Sequence, residues 1–211
     1  MNRRGRLITL EGGEGAGKST LLAGLHDHLL QRGVRLLQVR EPGGTDLGEA
    51  IRSIVLDPSH PHISAESELL LMFAARAQLV RERMLPALDA GQWVLCDRYV
   101  DASYAYQGGG RGQPQERIAE LERWACAGLK PDLTLLLDLS VSTGRARAAG
   151  RGAADRIETE ADAFFERVRQ TYRERAEAEP ERFRVIDASQ SPDKVLQAAV
   201  AAVAHLFEVD T

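Results

Sequence analysis

Gly12-Gly13-Glu14-Gly15-Ala16-Gly17-Lys18-Ser19-Thr20 reads as G-x-x-x-x-G-K-[ST], a spacing whose glycines let successive backbone N–H groups converge on one anion. The apolar run Leu7 to Leu10 stands directly before it and a helical pattern directly after. The segment therefore predicts a strand, a phosphate-wrapping loop, and a helix whose positive end faces the same phosphate. Lys18 is expected to reach the β and γ phosphates of a nucleotide, and the Ser19 hydroxyl to bind Mg²⁺. Asp97 follows the apolar run Trp93 to Cys96, which sets a carboxylate at the C-terminal end of another strand. An open parallel sheet binds its ligands at that edge, and a second metal-side acid belongs there.

Arginines cluster around these two motifs. Arg98 is adjacent to Asp97, Arg40 ends the apolar run before Glu41-Pro42-Gly43-Gly44-Thr45, and Arg52 lies on the short helix beyond. A GTPase needs few such cations, whereas an enzyme holding a second phosphorylated substrate needs a clamp, and bidentate arginine suits phosphate oxygens. The stretch Arg145 to Arg156 carries four arginines, with Gly150 and Gly152 and almost no large apolar side chain. It has nothing to anchor it in a core, and it predicts a lid at about 145–157. Phosphoryl transfer spreads negative charge over the γ oxygens, and the variable loop positions Gly13, Glu14, Gly15 and Ala16 include no base. The extra cation is expected from the lid.

The elements that must position these residues follow from periodicity. Apolar runs at Leu7 to Leu10, Val34 to Val39, Trp93 to Cys96, Leu133 to Leu139 and Phe183 to Ile186 alternate with longer segments of helical period. That alternation predicts an α/β fold: a five-stranded parallel sheet with helices on both faces, in a single domain over 1–211. Helices are expected from Lys18 to Arg32, from near Asp46, and from Ala65 to Leu88 with a bend at Pro86. Others are expected from Pro114 to Ala127, Val141 to Ala149 and Glu158 to Glu179, with a last one opened by Ser191 and Pro192.

Bulk properties remove other classes. Twenty-seven Lys and Arg against 31 Asp and Glu give a net charge of −4, so the molecule has no polyanion-binding footprint and no nucleic-acid partner is expected. Cys96 and Cys126 are too few for a disulfide scaffold and imply a reducing compartment. No apolar stretch has the roughly 20 residues a bilayer crossing needs, and the run after Arg3 and Arg4 is too short for a secretory core. The expectation is a cytoplasmic protein without a membrane partner. His26, His28, His60, His62 and His205 have no metal-ligand spacing with cysteine and read as surface residues.

Asp97-Arg98-Tyr99, the Glu41-Pro42-Gly43-Gly44 loop, the phosphate loop with Glu14 inside it, Ala105-Tyr106-Gln107-Gly108 and Arg156-Ile157-Glu158 together resemble the thymidylate kinases over nearly the whole chain. The resemblance implies a P-loop NTPase fold and a homodimer that moves the γ phosphoryl of ATP to dTMP with Mg²⁺, giving dTDP for dTTP synthesis. It assigns Gly12 to Thr20 to ATP, with Lys18, Asp97 and Arg98 catalytic and Ser19 and Asp97 on the metal. Glu14 takes the place of the acidic residue facing the acceptor deoxyribose. Arg52 and Arg98 hold the acceptor phosphate, with Arg40 in the same substrate site. Arg76 donates to the thymine carbonyl edge, Ser103 and Gln107 line the base, and Tyr106 packs beneath the sugar where a 2′-hydroxyl would go.

A phosphate loop without arginine resembles the bacterial type, in which a lid arginine does the work. Arg151 is the first candidate, with Arg147 and Arg156 behind it, since Asp155 and Glu158 are rival partners for Arg156. The resemblance also implies an adenine contact through the backbone of Ala188 to Gln190. The chain departs from the family at one position: Phe usually stands four residues before the base-reading arginine, and here that residue is Met72, with Phe73 beside it. Either side chain shares a helical face with Arg76 and can cover the base. Two alternatives remain open at this level, a monophosphate kinase for another nucleotide (dUMP, UMP, CMP or GMP) and a P-loop switch ATPase.

Overall fold

The computed structural model describes residues 4–149 and 154–208. Strands β1 (Leu7–Gly12), β2 (Leu36–Arg40), β3 (Trp93–Asp97), β4 (Leu133–Asp138) and β5 (Phe183–Asp187) form one sheet in the order β2-β3-β1-β4-β5. Every pairing is parallel. The three central strands are buried almost end to end because helices cover both faces, which is why they read as continuous apolar runs.

Side chains alternate across each strand, so Leu7 and Ile8 feed opposite cores. Helices α1 (Lys18–Gln31) and α9 (Pro192–Glu208) bring Leu21, Leu25, Leu29, Val195 and Val203 onto Ile8, Leu10 and Leu135. On the other face α3 (Ala65–Leu79) and α6 (Gln115–Ala125) set Leu69, Phe73, Leu79 and Ile118 against Leu7, Val39 and Val94. Each such side chain contributes about 1.5–3 kcal/mol by leaving water, and together they hold the sheet edge on which the loops are mounted. Because the strands run parallel, Gly12, Arg40 and Asp97, the last residues of β1, β2 and β3, leave the sheet on one edge. The register places Asp97 opposite both Leu10 and Arg40.

Three expectations about helices are corrected. The segment 65–89 is not one helix: α3 passes through a π-turn at Val80–Met84 into α4 (Leu85–Asp89). The Leu85 N–H donates to the Val80 carbonyl, five residues back, and Pro86, which has no N–H to donate, follows at once.

Residues 100–110, to which the sequence reading gave no element, form α5 (Val100–Ser103) and a π-helical run, Tyr104–Gly110. Three glycines end that run because α8 (Asp162–Ala178) lies against it: a Cβ on Gly109 would sit 2.1 Å from Thr171 Oγ1, and one on Gly110 2.4 Å from the Phe164 ring. The glycines serve packing rather than turning, a distinction that composition does not make.

Helix α8 begins at Asp162 rather than Glu158, because Asp155 Oδ1 accepts from the N–H groups of both Ile157 and Glu158 and holds that stretch in turns. Helices α2 (Asp46–Leu56) and α7 (Val141–Ala148) start on Thr45 and Ser140, whose hydroxyls accept from Gly48 and Thr143. Among the described residues no helix is long and apolar enough to cross a membrane.

Candidate active site

The loop between β1 and α1 closes on its own lysine. Lys18 Nζ donates to the Gly12 and Gly13 carbonyls at 3.0 and 2.9 Å, and Gly17, at φ 90°, starts α1 in the left-handed region. Burial, with the Arg98 charge second, lowers the Lys18 pKa to about 8. An ammonium whose charge is held at a cost in this way gains from an arriving phosphate. Gly15 packs on Gly144 of α7, where a Cβ would lie 2.0 Å from the Gly144 carbonyl oxygen, so α7 meets the phosphate loop backbone to backbone.

Arg98 leaves β3 at φ 67°, a conformation that costs a non-glycine residue about 1 kcal/mol and here turns its side chain over the phosphate loop. Its guanidinium donates to the Gly12 carbonyl at 2.9 Å, to Glu14 Oε1 at 2.7 Å and to the Tyr172 hydroxyl at 3.3 Å, and lies 4.8 Å over the Tyr106 ring. The Tyr106 hydroxyl donates to the same Glu14 oxygen at 3.0 Å. Burial works against the Arg98 charge, but Tyr106, Glu14 and Tyr172 outweigh it and hold the group cationic.

Below this layer Glu11 is buried at the end of β1, accepting from the Tyr99 N–H and the Tyr172 hydroxyl, both at 2.7 Å. Burial, reinforced by Asp101, pushes its carboxyl up to about 8. Sequence reasoning missed both Glu11 and Tyr172. The only available signal for Glu11 was an acid at the end of an apolar strand.

A cavity of about 270 Å³ opens above the loop, and its walls include Glu14 to Thr20, Arg40, Arg52, Met72, Asp97, Arg98, Tyr106 and Gln107. Arg52 donates to the Pro42 carbonyl and Arg40 to Glu49. Burial and then the Arg40 charge lower the Arg52 pKa, so two cations converge that a shared anion would relieve. Asp97 Oδ1, Glu41 Oε1 and Gln107 Oε1 are buried without a hydrogen-bond partner, and all three residues line this cavity.

Other expected site residues stand behind the wall. Arg76 is 0% exposed, donating to Glu41 at 2.7 Å, to Ser103 Oγ at 3.0 Å and to the Tyr99 carbonyl at 3.0 Å. Neither it nor Ser103 is on the cavity lining; both brace it. Phe73 lies in the core with Arg76 4.5 Å over its ring, whereas Met72 reaches the cavity. Arg156 also misses the nucleotide side: it is buried, with Nε on the Val55 carbonyl and Nη2 on Glu68. Arg147 reaches the Ala188 carbonyl at 2.8 Å, beside the loop after β5. Arg151 lies outside the described residues.

The residues present fit a divalent metal, since Ser19 and the unpartnered Asp97 oxygen share the cavity with the phosphate loop. Among the described residues no cluster of three or more His, Cys, Asp or Glu stands ready to bind an ion by itself. A site of this kind completes its coordination with phosphate oxygens.

The sheet, the lysine-closed loop at its carboxyl edge and the acid on the neighbouring strand define a P-loop nucleotide-binding protein of the α/β class. The family model described as Thymidylate kinase matches residues 10–199. The chain is 56% identical over 202 residues to the thymidylate kinase of Alkalilimnicola ehrlichii, covering 95% of this chain and 93% of that protein. It is 52% identical over 211 residues to that of Halorhodospira halophila, covering 99% and 98%. To that of Pseudomonas syringae pv. tomato it is 57% identical over 187 residues, 89% of each chain. The chain belongs to the thymidylate kinase family.

Proposed function

We propose that this protein transfers the γ phosphoryl of ATP to dTMP, releasing dTDP and ADP, as a step of dTTP synthesis. The observation that carries this reading is a single cavity holding both a triphosphate loop closed by Lys18 and a second cationic clamp, Arg40, Arg52 and Arg98. An enzyme that only hydrolyses ATP has no use for the second clamp.

The acceptor phosphate is a nucleophile at neutral pH, so no general base is needed and catalysis rests on positioning and charge neutralisation. An oxygen of dTMP forms the new bond to the γ phosphorus while the bond to the β–γ bridging oxygen breaks, and its electron pair leaves with ADP. Arg52 and Arg40 hold the attacking phosphate, and Arg98 spans from it to the transferring group. Lys18 neutralises the β and γ oxygens, and the N–H groups of Gly13 to Lys18 wrap the remaining charge. Ser19 and Asp97 would hold Mg²⁺, which supplies further neutralisation of the β and γ oxygens when bound. Glu14, fixed by Arg98 and Tyr106, accepts from the 3′-hydroxyl, and the Tyr106 ring occupies the space a 2′-hydroxyl would need.

Met72 covers the base. A lid from the stretch 145–157, anchored at its far end by the buried Arg156, closes on ATP, with Arg151 meeting the γ phosphoryl and Arg147 lying toward the adenine side. Closure excludes water and with it wasteful hydrolysis. The working molecule is a cytoplasmic homodimer whose chain is one domain.

The test is a coupled assay of ADP formation with ATP and Mg²⁺ and, in turn, dTMP, dUMP, UMP, CMP, GMP and no acceptor. Turnover that depends on dTMP and exceeds that with the other acceptors is expected. UMP or CMP outrunning dTMP would remove the roles of Tyr106 and Met72, and ADP release without an acceptor would overturn the kinase reading.

A further inference from the structure

Glu68, on α3, is 1% exposed and receives three donors from two segments: Gln107 Nε2 at 3.0 Å and Arg111 Nε at 3.3 Å from the π-helical run and its end, and Arg156 Nη2. Burial drives the Glu68 carboxyl up, but the hydrogen bonds from Gln107 and Arg156 and the charges of Arg111 and Arg156 outweigh it, leaving the group below its ordinary pKa. Glu160, the other acid at this cluster, is engaged by Arg111.

A glutamine amide is nearly symmetric in shape, and which end faces a ligand is decided by what holds the other end. An ionised carboxylate can only accept, so Glu68 takes the Gln107 NH₂ and commits the Gln107 oxygen to the opposite side. That oxygen is buried, has no partner, and belongs to a residue on the cavity wall. A buried acceptor left unmet is costly, so the site calls for a donor on its ligand.

We propose that Glu68 is a positioning residue for base selection: by locking the Gln107 amide with its oxygen toward the cavity, it selects bases that carry a ring imide N–H. Thymine and uracil present N3–H to such an acceptor, whereas cytosine presents a lone pair at N3 and meets it oxygen against nitrogen. Arg111 and Arg156 keep the carboxylate charged and so keep the amide from turning over. This inference rests on the reading that the cavity holds a pyrimidine monophosphate.

The experiment compares dTMP, dCMP and N3-methyl-dTMP as acceptors for the wild type and Glu68→Gln, by kcat/KM and by Kd from calorimetry. The wild type is expected to prefer dTMP over both others by 10²-fold or more. In Glu68→Gln, whose side chain can donate as well as accept, the dTMP to dCMP ratio should fall at least tenfold, with dCMP holding or improving. A parallel loss on all three acceptors, with the ratio unchanged, would reduce Glu68 to a structural brace and overturn the proposal.

Should Glu68→Gln fail to fold, Glu68→Leu combined with Arg156→Met removes the carboxylate together with a charge partner, an exchange buried pairs often tolerate. The same ratio is read against Arg156→Met alone, in which Glu68 keeps Gln107 and Arg111 as donors and the ratio should fall less than in the double variant. A wild type that shows no dTMP-dependent ADP formation sinks the kinase reading, and the Kd ratios still decide the Glu68 role. A wild type that phosphorylates dTMP while Glu68→Gln keeps its selectivity sinks only the latter.

Discussion

Arg98 Nη2 stands 2.7 Å from Glu14 Oε1, tying the loop after β3 to the phosphate loop. The pair is only partly exposed, 16% for the arginine and 26% for the glutamate, and the same glutamate oxygen accepts from Tyr106. One cation therefore orients the phosphate loop, Glu14 and the Tyr106 ring before any substrate arrives.

Arg98→Lys keeps the charge but loses the fork that reaches Gly12 and Glu14 together. The expected outcome in steady-state kinetics is a fall in kcat of about 10²-fold, the usual size for removing a preorganised electrostatic donor. A kcat within threefold of wild type would remove Arg98 from the transferring group.

Met72 and Phe73 are neighbours in sequence with separate jobs. Phe73→Ala opens the core beneath Arg76 and should cost about 3–5 kcal/mol in urea unfolding. Met72→Ala, which lines the cavity and also packs on Ile51, Val55 and Ala75, should raise the dTMP KM several-fold and cost about 2 kcal/mol, less than Phe73→Ala. If Phe73→Ala proves the KM variant and Met72→Ala the stability variant, the base lies deeper than proposed.

Arg156→Ala should behave as a core variant. It leaves Glu68 short of a buried charge partner, a change that costs about 3 kcal/mol or more. Below the melting transition its KM for ATP should stay within threefold of wild type. A normal melting temperature with a large rise in ATP KM would return Arg156 to the nucleotide.

Glu11 predicts a pH signature. Burial pushes its carboxyl up to about 8 in the folded chain from an ordinary 4.5 when unfolded, so the folded state holds the proton more tightly between these values. The stability this contributes is complete below about pH 4.5 and is lost as pH rises through about 8. Glu11→Gln cannot titrate, so its stability relative to wild type should improve steadily from pH 5 to pH 8 in urea unfolding. A difference that stays flat across that range would mean Glu11 is ionised throughout.

The sheet, the phosphate loop and Asp97 were legible in the sequence because each is written in contiguous residues. A strand's apolar run, a loop's glycine spacing and a helix's period need no distant partner to be read. The cavity arginines Arg40, Arg52 and Arg98 were legible for a related reason: they end β2, lie on the helix after it, or follow β3, and the alternation of elements sets the direction of both strands.

Tertiary structure alone decided which face of α3 meets the cavity. Met72 and Phe73 both pair with Arg76 on helical spacing, and only the docking of α3 on β1, β2 and α2 sends Phe73 into the core and Met72 to the cavity. It likewise turned Arg156 from the nucleotide to Glu68, 88 residues away in the chain, and set Glu11 under Tyr172, 161 residues on. A single charged side chain carries no record of its partner. Its role is fixed when folding removes water and leaves it one place to put its hydrogen bonds.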